Sequence, residues 1–454
     1  MKFKFWVVVT LAIGVIQAGQ AATSEPQVTF SHDVAPILLK RCVSCHHPND
    51  LAPMSLLTYK DVRPWASAIE EAVVLRKMPP WKADPRYGTW SNDASLTDAE
   101  IKTIKQWAEG AKLEGDPGEL PPLPTFSTDW KLGKPDLVIS IPQHTLEASG
   151  PDEYANVILP SNFTEDMWVV AAELRPSNRK IVHHAHVFVV EPDGPKQAGE
   201  PKDPTADYRD WLMIREGTLS FVRPEAPVIN DGCAVDDNGS FPGQKQSDLT
   251  DLIASYLPGR EPDTFPDGAA RKIPAGAKLR FDIHYSRTTH KTETDMTSVG
   301  LYLAKKPPAQ VARRIDPSNY MFQVPAGASE HEVTECHTFQ KDMYITSLTP
   351  HMHLRGKSMR LVATYADGRT ETLLNVPRYD FNWQITYRAA QPIYIPKGTR
   401  IAIISHFDNS PNNPANPDPS KAVRWGSASE MEMMDCWIEY LDALPVTHAA
   451  AGLH

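Results

Sequence analysis

Apolar and polar residues follow two different rhythms along this chain, and the change falls near residue 115. Before it the spacing is helical. Val34, Ile37 and Leu38 share one face across residues 33–41, and Thr97 with Glu100 makes a capping-box start to a helix through Ile101, Ile104, Trp107 and Ala108. Residues 115–129, opening Gly115-Asp116-Pro117-Gly118, suit neither helix nor strand and read as a stiff Pro-rich linker. From about residue 130 the period becomes two. Leu279, Phe281, Ile283 and Tyr285 alternate with Arg280, Asp282 and His284, and similar runs recur at 136–141, 181–190, 343–349, 359–365 and 400–407 with Pro, Gly and Asn turns between them. The expectation is a multidomain chain: a small all-α domain over 22–114, then two antiparallel β-sandwich (jelly-roll-like) domains over 130–310 and 311–454. Residues 191–232 and 408–420 are expected to be long loops.

The first residues bear on compartment. Lys2 and Lys4 precede an apolar run from Phe5 to Ile16, and Gly19-Gln20-Ala21 offers small residues for cleavage, so 1–21 reads as a secretory signal peptide. The run falls short of the ~20 residues a membrane span needs, and no later segment is apolar for long enough. A periplasmic or secreted protein with no membrane span after signal removal is expected. Among 454 residues, 56 acidic side chains outweigh 46 basic ones, leaving no basic footprint for nucleic acid. The 41 prolines against 24 glycines suit short strands joined by rigid turns. Five cysteines and sixteen histidines point to metal or haem chemistry before a disulfide scaffold.

Cys42-Val43-Ser44-Cys45-His46 is C-x-x-C-H, in which two thiols form thioethers with the haem vinyls and the adjacent histidine becomes an iron ligand. One covalently bound c-type haem is expected, held by Cys42, Cys45 and His46. For the sixth ligand Met78 is preferred, since Pro79 and Pro80 hold its loop extended; Met54 is the rival, and His32 and His47 are weaker candidates. The first helix, C-x-x-C-H, the proline-bracketed methionine and the helix containing Trp107 together resemble class I cytochrome c across 30–114. That resemblance implies an electron-transfer haem of relatively high potential.

In the period-two region, His351-Met352-His353 puts two imidazoles on one face of a strand, within reach of one metal. His183-His184 are neighbours that a regular strand points apart, so joint ligation needs a bulge; His184 and His186 are the pair that simple alternation favours. His284 stands alone on its polar face, and Met433 and Met434 close the set. Singly, each has an ordinary reading as a surface histidine or core methionine. In order, Val182-His183-His184, Asp282-Ile283-His284-Tyr285, Pro350-His351-Met352-His353 and Glu432-Met433 with Tyr440 resemble the copper type II, ascorbate-dependent monooxygenases, which include the peptidylglycine α-hydroxylating and dopamine β-monooxygenases.

The resemblance covers about residues 130–445. It implies two copper ions: an electron-transfer copper on His183, His184 and His284, and a catalytic, oxygen-activating copper on His351, His353 and Met433, with Met434 a possible substitute for Met433. Where peptide-hydroxylating relatives hold a substrate carboxylate with Arg, Asn and Tyr, this chain has Thr349, Asp435 and Trp437. Peptide amidation is therefore not expected, and an apolar, neutral or cationic small molecule fits those positions better. Of the three cysteines outside the haem motif, Cys336 and Cys436 are expected to pair, leaving Cys233 free.

The expected activity is hydroxylation of a C–H bond of a small organic substrate with O₂. Electrons from ascorbate or a periplasmic redox protein would pass from haem to the His183/His184/His284 copper and on to the other. The alternative is a non-catalytic periplasmic copper-binding, electron-transfer protein.

Overall fold

The computed structural model describes residues 27–48, 52–126, 129–190, 192, 212–215, 218–222, 226–234, 251–257 and 260–443. The signal-peptide reading of 1–21 and the last eleven positions, 444–454, lie outside the described residues. The chain is mostly β-sheet with few, short helices. No helix among the described residues is long and apolar enough to cross a membrane.

The helical stretch comprises Ala35–Arg41, Tyr59–Val62, Ala66–Val74 and Asp98–Glu109. Its core gathers Phe30, Leu38, Ile104 and Trp107, all essentially solvent-free. Trp107 can be buried this deeply because its indole N–H donates to Leu113 O at 3.0 Å. The Asp98–Glu109 helix starts at a complete capping box between Thr97 and Glu100, so two backbone donors that the first turn leaves open are satisfied reciprocally. The segment read as a stiff Pro-rich linker packs in part on the helical core. It contains a short 3₁₀ turn at Pro117–Glu119, and Leu120 and Phe126 fold back on the helical core, Phe126 stacking on His47 at 3.7 Å.

Residues 81–93 were expected inside a self-contained helical domain, yet they dock on the second sandwich. Ala83 and Trp90 belong to that sandwich's core, and Trp81 and Trp90 meet Tyr387 at 5.0 and 5.6 Å. Asp84 N–H donates to Asn375 O at 2.8 Å, and Asn92 Nδ2 donates to Thr386 O at 2.8 Å. Apolar side chains in this segment thus complete another unit's core, something local periodicity does not register.

Two cores lie between paired sheets. In the first, Val182–Val190 and Lys278–Tyr285 run antiparallel inside a four-stranded sheet, and Val182, Ala185, Val187 and Val189 turn inward with Leu279, Phe281 and Ile283. In the second, Met343–Met352 pairs with Met434–Asp442, burying Ile345, Leu348, Met352, Met434 and Ile438. The expected boundary near 311 falls within the strand Gln310–Ile315, which pairs parallel with Ala269–Ile273 of the first unit and antiparallel with Met434–Asp442 of the second. Those pairings make one nine-stranded sheet that runs through both sandwiches. The 191–232 stretch is also not wholly loop, for Leu212–Arg215 and Thr218–Val222 form a hairpin.

The disulfide differs from expectation: Cys233 bonds to Cys336, and Cys436 is a free, buried thiol. The reason is which face each cysteine presents. Cys436 points into the second core from Met434–Asp442, whereas Cys336 lies on His331–Thr338, beside which the Cys233 turn is held by Thr334 N–H donating to Asn230 O at 2.8 Å. Peptide mapping of the unreduced protein should recover a Cys233–Cys336 cross-link, with Cys436 alkylated only after unfolding. A Cys336–Cys436 peptide would contradict this arrangement.

Candidate metal centres

The first cluster depends on a bulge. The register pairs His284 with His184 and then Tyr285 with Val182, so His183 is an extra residue without a cross-strand partner. The bulge turns His183 to the same side as His184, and the ligand atoms of His183, His184 and His284 all lie within 4.8 Å of one another. The rings sit 5.3, 5.0 and 4.9 Å apart, steeply tilted to each other. Nδ1 of His183 is 3.2 Å from Nδ1 of His184. His284 Nε2 pairs with Asp152 Oδ2 at 2.9 Å, while its Nδ1 is buried with no hydrogen-bond partner among the described residues.

A buried, unpartnered imidazole nitrogen beside two others fits a metal that prefers nitrogen donors, copper among them. Burial lowers the pKa of all three histidines, most strongly His184, whose neighbours His186, His284 and His183 add to the effect. They are therefore neutral, the form in which imidazole binds metal. His186 is not part of the cluster. Its Nδ1 lies 3.0 Å from Ser255 Oγ, and its ring meets Trp437 edge-on at 5.6 Å.

The second set occupies the facing surface of the other sandwich. His351 and His353 lie on one side of the Met343–Met352 strand and its exit, their rings 5.2 Å apart and nearly perpendicular. His353 Nδ1 faces Met431 O at 3.2 Å; a carbonyl only accepts, so Nδ1 carries the proton and Nε2 is left as a ligand atom. His351 Nδ1 is held in the same way by Gln384 Oε1 at 2.8 Å. Burial brings their pKa values down to about 4 and about 3.

Met434 is fully buried in the core. Its neighbour Met433 is only half-buried and takes the position across from His353, one step beyond the Met352–Met434 register pair. Glu432, completely buried, accepts the N–H groups of His353 and Arg355 at 2.9 and 2.6 Å and so clamps the turn after H-x-H. Burial raises its pKa to about 8. Two imidazoles and a methionine at the facing position are donor types that suit copper in both oxidation states.

The two sets lie close together where the sandwiches meet. Phe381 lies 6.2 Å from His183 and 5.6 Å from His353. Trp437 stacks on His351 at 5.7 Å, and Tyr154, stacked on His284 at 4.3 Å, reaches Ser429 Oγ at 3.3 Å. Of the supporting residues, Asp152, Gln384 and Phe381 carry no signal in the sequence, because each meets its histidine only after distant strands assemble.

In the helical stretch Cys42 and Cys45 are not disulfide-bonded to one another. His46 Nδ1 lies 3.3 Å from Met54 O, leaving Nε2 as a ligand atom. Cys45 borders a narrow cleft of about 30 Å³ shared with Lys131, Glu173, Arg179, Ser255 and Arg260. Met54 packs against the same core as Cys42, whereas Met78 is half-buried, its N–H donating to Ala72 O at 3.2 Å.

Replacing Asp152 with Ala should weaken copper binding at the His183/His184/His284 cluster about 10- to 100-fold and spare the other set, and Gln384→Leu should do the reverse. Competition with a chelator reads both. Equal loss at the two sites from either variant would contradict the assignment.

No family model matches the chain, and no curated protein does. Among solved structures it shows a likeness to the major capsid protein P2 from bacteriophage PM2, with 12% identity and a TM-score of 0.23 over 65% of this chain and 99% of that one. A second likeness is to infectious bursal disease virus Gx strain, with 9% identity and a TM-score of 0.16 over 67% and 81%. Neither bears on fold or function.

Proposed function

We propose that the protein is an exported, haem- and copper-dependent monooxygenase that hydroxylates a C–H bond of a small organic substrate with O₂. One observation carries the reading: two separate histidine groups, His183/His184/His284 and His351/His353, come together from two sandwiches that one sheet holds together, with Met433 at the position across from His353. A protein that only carries copper has no need of two sets with different donors.

When bound, copper and haem supply the O₂ chemistry and the one-electron transfers. The chain's own residues do the rest. Asp152, Gln384 and Met431 O fix the imidazole orientations, burial keeps the rings unprotonated, and Trp437 and Phe381 pack against them. Support for electron entry at the three-histidine cluster comes from the Cys45 cleft. It reaches Ser255, whose hydroxyl meets His186, and the His186 ring is 5.5 Å from that of His184. Tethering the donor to the same chain raises its effective concentration at the copper sites over that of a diffusing reductant.

The matured protein should contain two copper ions and one haem. His351→Ala should reduce the copper to one with the haem absorption spectrum unchanged, and should abolish substrate-dependent O₂ uptake. Unchanged copper in that variant, or no O₂ uptake by the fully loaded protein across a broad panel of substrates, would overturn the proposal, the second outcome in favour of an electron carrier.

A further inference from the structure

The pairing of Met343–Met352 with Met434–Asp442 ends at the Met352–Met434 pair, so His351 is held inside the ladder while His353 and Met433 stand one step beyond it. Something other than strand pairing must place those two side chains. The 408–421 loop, rich in Asn, Asp, Ser and Pro, supplies it. Leu354 and Arg355, which follow His353, are gripped from several sides: Asp408 N–H donates to Arg355 O at 2.8 Å, Asn413 Nδ2 donates to Leu354 O at 3.2 Å, and Glu432 accepts the His353 and Arg355 N–H groups. Asn409 sits completely buried at the centre of this loop. Its Nδ2 donates to Pro325 O and Lys421 O, both at 2.9 Å, and its Oδ1 accepts from Arg355 Nε at 2.8 Å and Asn416 Nδ2 at 3.0 Å. Every hydrogen-bonding position of the amide is thereby used.

Arg355 joins the loop to Glu432. Its Nη1 donates to Glu430 O at 2.9 Å and lies 3.8 Å from Glu432 Oε1, and both charged side chains are buried. Taking both charges out of water is costly, and the cost is offset only in a geometry that keeps both groups bonded. In that geometry Glu432 reaches both residues outside the ladder. Its carboxylate holds the His353 N–H, while its backbone leads directly into Met433 and is itself tied down, Glu432 N–H donating to Arg424 O at 3.1 Å and Gly426 N–H to Glu432 O at 3.0 Å. We propose that Arg355, braced by Asn409 and the 408–421 loop, is a positioning residue that places His353 and Met433 relative to His351 and so sets the metal affinity of that set. Lysine cannot replace it, because an ammonium lacks the planar fork that meets Asn409 and Glu430 together. The His183/His184/His284 set lies on the strands of the other sandwich and takes no part in this network. The inference rests on the copper reading of His351, His353 and Met433.

The test loads full-length protein with Cu(II) and follows chelator competition and the nitrogen hyperfine pattern of the copper paramagnetic resonance, while alkylation of the buried Cys436 reports whether the second core is intact. Two variants are compared: Arg355→Lys, which keeps the charge, and the milder Asn413→Ala, which removes the bonds to Leu354 O and Asp408 O. Arg355→Lys should weaken Cu(II) binding at His351/His353/Met433 about 10- to 100-fold and alter the hyperfine pattern of that copper, with the three-histidine set unaltered and Cys436 still protected. Asn413→Ala should act in the same direction, and it alone decides where Arg355→Lys exposes Cys436. Unchanged affinity and hyperfine pattern in both variants overturns the proposal, as does weakening of equal size at the two sets. An unaltered protein that binds no Cu(II) at this set overturns the copper reading and this inference together. Affinity is read without turnover, so absence of O₂ uptake by the copper-loaded protein bears on the oxygenase reading alone.

Discussion

The parallel pairing of Ala269–Ile273 with Gln310–Ile315 is the contact on which the rest depends. Because Gln310–Ile315 also pairs with Met434–Asp442, the two sandwiches share one sheet instead of meeting through a flexible joint. Their relative placement is fixed by backbone hydrogen bonds. The outer face of Val182–Val190 is thereby set against that of Met343–Met352, and polar side chains that a lone sandwich would show to solvent become buried.

Burial at such a junction costs free energy unless each polar atom finds a partner. Most do: His284 has Asp152, His351 has Gln384, and His353 has the Met431 carbonyl. The nitrogens left over are informative. His284 Nδ1 has no hydrogen-bond partner among the described residues, and the ligand atoms of His183, His184 and His284 lie within 4.8 Å of one another.

The strands were legible because alternation of Leu279, Phe281, Ile283 and Tyr285 against polar residues is a local property, and the capping box at Thr97 is equally local. The histidines were legible as types and spacings. What joins them was not. Whether His183 or His186 accompanies His184 depends on a bulge that appears only when the strand registers against Lys278–Tyr285. The Cys233–Cys336 bond joins residues 103 positions apart, and its choice over Cys436 follows from which face of a strand each thiol takes. Docking of 81–93 on Tyr387 and the placement of Arg260 beside Thr386 are likewise products of assembly, with no trace in periodicity.

The most direct test of the central claim is diffraction from crystals of the matured protein at the copper and iron absorption edges. Two copper peaks are predicted, one bounded by His183, His184 and His284 and the other by His351, His353 and Met433, with a single iron peak beside Cys42, Cys45 and His46. A lone copper peak, or copper seated away from these two ligand sets, would contradict the account.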